Sequence, residues 1–318
     1  MISISDFINC PKVDVHNHLN LGMKYASYVP WAGFYIPDFP RKLNGLSDMH
    51  DNIISQYTRP RVKTAKDVED VITLAVKDAI SDGVTVLEGS VDIQFVHHLG
   101  GTEQLAEMVS RIVNKFKDQI LLLPELGMGK TFGIDKIQKW APDLLNSGVF
   151  KSIDLYGPEV EDGIEDFKNI YELATKLDIK KKAHVGEFSD ARSVQRFVEF
   201  FDLDEVQHGI GAAQDPAVMK FLANHHIRCN VCPESNVMLG AVSSYKEHPI
   251  RKMVDAGIEC TINTDDLLLF NKTCSEQCVE LVKAGLFSVD ELKTMLKGQT
   301  EEYKNYTFAD NRMIANFA

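Results

Sequence analysis

Long apolar runs are missing from this chain. No stretch approaches the ~18 apolar residues that a membrane span requires, so no spanning helix is expected. Cysteine is sparse: six in 318 residues, at positions 10, 229, 232, 260, 274 and 278. That density offers no disulfide framework and points to a reducing, cytoplasmic setting. Positive charge is also short, with 34 Lys and Arg against 46 Asp and Glu, a net −12. An acidic chain repels nucleic acid and anionic membrane surfaces, so neither is expected as a partner. The N-terminus has neither the basic cluster nor the apolar segment of a secretory leader. What remains is ordinary globular composition, 44% hydrophobic and 25% charged, ample for a core.

The pattern along the chain is an alternation. Short β-rich runs at 13–18, 83–88, 119–125, 149–155, 181–185, 204–208, 227–231 and 258–264 read as strands. Between them lie segments of helical period at 64–81, 102–117, 133–147, 164–177, 189–201, 215–225, 249–256 and 274–284. Thr64 with Asp67 three residues on, and Ser288 with Glu291, carry helix-start signals. Eight β/α units without a linker predict one domain over 1–318, an α/β TIM-type (β/α)8 barrel. Two additions are expected. An insertion at 20–60 after the first strand is rich in aromatics and Pro and is read as a substrate lid, or as a small satellite core under short helices. A helical tail at 288–318 packs outside the barrel.

In such barrels the chemistry sits where the strands end. The first strand ends in His16 and His18, the fifth in His184 with Glu187 beyond Gly186, the sixth in His208, the eighth in Asp265 and Asp266. Strict alternation puts Asp14, His16 and His18 on one face of the first strand and Val13 and Val15 on the other. Three imidazoles and a carboxylate suit one zinc ion with a position left for water, so His16, His18, His184 and Asp265 are the expected ligands. Such an ion lowers the pKa of its water toward ~7. Glu187 is placed as proton shuttle, His208 as the group that orients or deprotonates the water, and Asp266 as facing substrate.

The motifs PKVDVHNHL, HVGE, HGIG, CPESN, HP (His248–Pro249) and NTDD, in that order, resemble the adenosine deaminase family of the amidohydrolase superfamily. The resemblance runs from about Pro11 into the tail. It implies a mononuclear zinc barrel that hydrolyses the amino group from C6 of a purine, adenosine first, with adenine or a modified adenosine next. Carried over, His16, His18, His184 and Asp265 match the zinc ligands, and Glu187 the acid that protonates N1. His208 matches the residue that positions the attacking oxygen, Asp266 the acceptor near N7 and Gly157 the backbone donor toward N3. One departure touches the substrate. Asn20 stands where adenosine-specific members carry the acidic residue that holds a ribose hydroxyl, which makes it a weaker acceptor there.

Other signals are set aside. Cys229 and Cys232 have redox or zinc spacing, but on a strand they face opposite ways and no second pair follows. The doublets His97–His98 and His225–His226 and the isolated His50 are read as solvated, and Cys274 and Cys278 as packing. The competing functions are another amidohydrolase reaction, on an amide, lactone or phosphoester, and a non-catalytic nucleoside-binding barrel. Lys151 lies too early on the fourth strand to bridge two metals.

Overall fold

The computed structural model describes residues 2–304 and 306. The tail expectation at 307–318 lies outside the described residues. Eight parallel strands follow one another around a ring in chain order. They are β1 (Lys12–His18), β2 (Val84–Asp92), β3 (Leu121–Gly129), β4 (Ser152–Tyr156), β5 (Lys180–Val185), β6 (Glu205–His208), β7 (Arg228–Val231) and β8 (Cys260–Ile262). The ring closes past the end of β8. The Asp265 N–H donates to His16 O at 2.8 Å and the His18 N–H to Asp265 O at 3.4 Å. The closing bond therefore runs through the residues that the site uses.

Helices cover the outside. They begin with α1 (Tyr25–Ala32) and α2 (Gly45–Met49), both in the insertion, then α3 (Ala65–Ser81), the short α4 (Val96–Leu99), α5 (Thr102–Phe116) and α6 (Ile134–Asn146). Next come α7 (Lys168–Lys176), α8 (Ala191–Phe201), α9 (Pro216–Asn224), α10 (Pro233–Met238) and α11 (Ile250–Asp255). Last are α12 (Leu267–Phe270), α13 (Cys274–Lys283) and α14 (Val289–Glu301). The expected caps form: Thr64 and Asp67 make a reciprocal pair at α3, and Ser288 and Glu291 do so at α14. Each orphan N–H they satisfy helps fix where the helix begins.

The insertion is helical as well as irregular, with a nine-residue π-helix at His50–Thr58. Its aromatics mostly pack on one another. Tyr28 is buried and bonds Tyr57 O at 2.9 Å, Tyr25 bonds Ile36 O at 2.6 Å, and Phe39 lies between the Tyr25 and Tyr57 rings. The pocket instead takes aliphatic side chains from this segment, Leu46, Met49 and Ile54 among them.

The first strand departs from strict alternation. Asp14 pairs with Leu87 and Asn17 with Gly89, so β1 spends three steps where β2 spends two. The extra residue is a bulge, which kinks a strand and re-aims a side chain. Val13 and Val15 pack inside the barrel with Val86 and Leu123. Asp14 turns the other way and takes hydrogen bonds from the Thr264 hydroxyl (2.5 Å) and N–H (3.2 Å). It does not share a face with His16. The bulge lets His16 follow Val15 to the inside. Its stranded backbone groups are satisfied by side chains: Asn263 Oδ1 accepts from Val15 N–H at 2.9 Å and Lys182 Nζ donates to Val15 O at 3.0 Å.

Candidate active site

The strand ends meet at the mouth of the barrel. His16 Nε2 stands 3.0 Å and His18 Nε2 3.4 Å from His184 Nε2. Asp265 Oδ1 lies 3.8 Å from His16 Nε2 and 3.6 Å from His18 Nε2. Two of the other ring nitrogens are engaged. His16 Nδ1 donates to Asn230 O at 3.1 Å, and His184 Nδ1 faces the Asp154 carboxylate at 3.0 Å. These bonds put the ring hydrogens of His16 and His184 on Nδ1 and leave their facing Nε2 atoms as lone pairs. Burial lowers His18 to about 3 and His184 to about 4, and burial with the neighbouring rings drives His16 well below its ordinary value. Lone pairs packed against one another and a carboxylate are mutually repulsive until a cation lies between them. Bonds of 2.0–2.1 Å to a tetrahedral ion put its ligands about 3.4 Å apart, which these separations approximate. The donor set therefore fits a zinc-type ion.

Glu187 and His208 stand beside this cluster. His208 Nε2 is 3.6 Å from Glu187 Oε2 and 3.9 Å from Asp265 Oδ2. Burial, then the charges of Asp265 and Glu159, push the Glu187 carboxyl well above the usual carboxylate range. Asp266 is raised by burial and by Asp265 and Asp92, and its Oδ1 is buried without a hydrogen bond to any described residue. Asn20 and Gly157 line the same pocket as Asp266. Asn20 Nδ2 reaches Asp92 Oδ2 at 3.3 Å.

Some of the surroundings were not read from the sequence. Glu159 accepts four backbone N–H bonds from the turn that carries Glu187: Gly186 at 3.0 Å, Glu187 at 2.8 Å, Phe188 at 3.2 Å and Ser189 at 2.8 Å. Gly186 holds φ 80°, and a Cβ there would meet Val194 Cγ2 at 2.4 Å, so only glycine fits. Asn236 Nδ2 lies 2.7 Å from Glu187 Oε1 and 3.1 Å from His208 Nδ1, and His248 Nε2 lies 3.2 Å from Asn236 Oδ1. Asn236 and His248 entered the sequence reading only inside the quoted motifs. Asp92 was out of view because β2 continues four residues past the end read at Glu88. Of the residues set aside, His50 and His98 line the pocket, and Cys232 Sγ lies 3.3 Å from His16 Nδ1. His97, His225 and His226 are exposed, while Cys274 and Cys278 are buried in packing.

A closed (β/α)8 barrel with a histidine–carboxylate centre at the C-terminal strand ends, flanked by a buried acid, defines a barrel hydrolase of the amidohydrolase type. Comparison with known proteins narrows the class. A family profile described as adenosine deaminase matches residues 11–302. A protein of Treponema pallidum (strain Nichols), provisionally named adenosine/adenine deaminase, is 52% identical over 91% of this chain and 96% of its own length. The crystal structure of adenine deaminase from Arthrobacter aurescens superposes with TM-score 0.80 at 20% identity, covering 96% of this chain and 97% of that one. An amidohydrolase from Burkhoderia ambifaria, crystallised with bound Zn, gives TM-score 0.77 at 19% identity, covering 100% of this chain and 95% of that one. At these identities the two structures speak for the fold. The chain belongs to the adenosine deaminase family. It is a hydrolase of the deaminase type.

Proposed function

We propose that this enzyme removes the 6-amino group of adenosine by hydrolysis, giving inosine and ammonia, at a centre holding one zinc ion. The observation that carries the reading is the convergence of His16, His18, His184 and Asp265 beside Glu187 and His208. Those first four residues would hold the ion. When bound, it supplies Lewis acidity and brings the pKa of a water toward ~7.

The side chains account for the rest. Glu187, held protonated by burial, gives its proton to N1 of the purine. C6 becomes electron-poor and accepts the water oxygen, which His208 orients. The amino nitrogen takes up one proton of that water and leaves as ammonia. The other proton returns to Glu187, and N1 keeps the hydrogen it received. N7 of a purine has a lone pair and no hydrogen, so Asp266 faces it as a protonated donor; its raised pKa supports this. Gly157 N–H points to N3. Asn20, whose Nδ2 donates to the Asp92 carboxylate, keeps its Oδ1 as an acceptor for a ribose hydroxyl, which supports the nucleoside; the Asp92 oxygens already take the Asn20 and Gln94 amides and the Tyr156 hydroxyl.

The test is ammonia release by zinc-replete protein from adenosine, deoxyadenosine, adenine and N6-alkyl purines. Adenosine is expected to be turned over, and Glu187→Ala to lose about 10²-fold or more while keeping its metal. Silence with every aminopurine overturns the reading. Faster release from adenine than from adenosine moves the assignment to the free base.

A further inference from the structure

We infer that a buried relay from His248 through Asn236 fixes the catalytic protons on Nε2 of His208 and on Oε2 of Glu187, the two atoms that face each other at the reaction centre. A backbone group sets the first proton of the relay. The N–H of Ile250, in the first turn of α11, points at His248 Nδ1 at 3.1 Å. A backbone N–H only donates, so Nδ1 is the acceptor nitrogen of that ring. The ring hydrogen of His248 is then on Nε2, which faces Asn236 Oδ1 at 3.2 Å. This settles which way the Asn236 amide points. Its oxygen takes the His248 hydrogen, and its nitrogen is turned toward the site.

An amide nitrogen carries two hydrogens and no free lone pair for accepting. One points to Glu187 Oε1 at 2.7 Å and the other to His208 Nδ1 at 3.1 Å. His208 Nδ1 therefore carries a lone pair, and the ring hydrogen is on Nε2, toward Glu187 Oε2 and Asp265 Oδ2. The Ser235 hydroxyl lies 3.3 Å from the same Oε1. The 2.7 Å bond from an amide N–H makes Oε1 the accepting oxygen of the carboxyl, so the proton that Glu187 delivers sits on Oε2. Asn236, His248 and Ser235 are all buried, so water does not compete for these bonds.

The consequence concerns His208. Its residue type alone allows two roles, orienting the attacking oxygen or deprotonating it, and the family resemblance favours the first. With its hydrogen on Nε2, His208 meets that oxygen as a donor. It holds the oxygen and does not take its proton. Asn236 and His248 are positioning residues that act through His208 and Glu187.

The kinetic arm of the test rests on the deaminase reading, and the spectroscopic arm does not. Nitrogen-15 correlation spectra of the histidine rings in the zinc-loaded protein report each tautomer. His208 is expected with Nε2 protonated in the wild type. Asn236→Asp replaces a donor with an acceptor and is expected to move the hydrogen to Nδ1. In steady-state kinetics with adenosine, His248→Ala is expected to lower kcat by about 10-fold or more with KM within about threefold. His248→Gln, whose amide nitrogen donates from nearly the same point, is expected to recover most of it. A wild-type His208 protonated on Nδ1 overturns the inference, and so does a folded Asn236→Asp protein with the tautomer unmoved. Equal kcat for wild type and folded His248→Ala also overturns it. Should the variants fail to fold, the wild-type spectrum decides alone. Absence of any aminopurine turnover would remove the deaminase reading and leave the tautomer assignment standing.

Discussion

Replacing Glu159 removes the acceptor for four backbone N–H groups at once. Three of those bonds fall on Oε2 and one, from Glu187, on Oε1, so most of the carboxylate's acceptor capacity is committed to the turn. What it holds is the Gly186–Ser189 turn, and with it the backbone of Glu187. Glu159→Gln puts an amide NH2 against at least one of those donors, the Glu187 N–H if the oxygen stays with the other three. The turn shifts, and a shift of about 1 Å at a catalytic group costs up to ~10²-fold. The expected result in steady-state kinetics is a 10- to 100-fold lower kcat with KM little changed. A kcat within twofold of wild type would show that the turn stands without the clamp. The sequence displayed the histidines and Asp265 that meet at the barrel mouth, because metal chemistry of the proposed kind needs particular residue types at strand ends. It did not display Glu159 or Asp92, and it carried Asn236 only as a letter of the CPESN motif. An acidic or amide side chain has many ordinary uses, and only the meeting of distant loops turns these into parts of the site.

At the scale of the element, β1 is the instructive case. Alternation correctly placed His16 and His18 together but misplaced Asp14, because a single added residue carries no sequence signature of its own. The bulge is held by Asn263 and Lys182, which lie 248 and 167 residues away from Val15 in the chain. Asn263→Ala strands the buried Val15 N–H, which costs about 1–3 kcal/mol. Urea unfolding should show that loss, and zinc affinity should fall as His16 loses its aim. Unchanged zinc affinity in a folded Asn263→Ala protein would separate the bulge from the site. The capped helices behaved differently. Thr64 with Asp67 and Ser288 with Glu291 were legible because a capping box is local, and each formed at the expected residues.

For the whole molecule, eight β/α units read from period alone closed into the expected barrel, since that pattern with short connections leaves few other arrangements. The barrel interior below the site was not foreseen. Lys182 sits fully buried between Glu88 (2.5 Å) and Glu125 (2.9 Å), Lys180 and Arg228 pair with Glu205 at 2.6 and 2.5 Å, and Tyr303 caps Glu88 at 2.7 Å. Burial works to raise the Glu205 carboxyl, but Arg228, Lys180 and Lys182 outweigh it and hold it at about 2, below its ordinary 4.5. A depressed carboxyl stabilises the fold fully above the unfolded value and loses that contribution as pH falls from 4.5 toward 2. The urea midpoint should therefore drop across that window, and less steeply in Glu205→Gln; equal slopes would place the acid lability elsewhere. Central to the proposed function are one ion gripped by residues from β1, β5 and the end of β8, and what that grip does to a purine. Zinc titrated into metal-stripped protein, with ammonia release from adenosine as the readout, tests both together. Activity should rise linearly and level off at one ion per chain. A plateau at two ions per chain, or no ammonia at saturation, would contradict it.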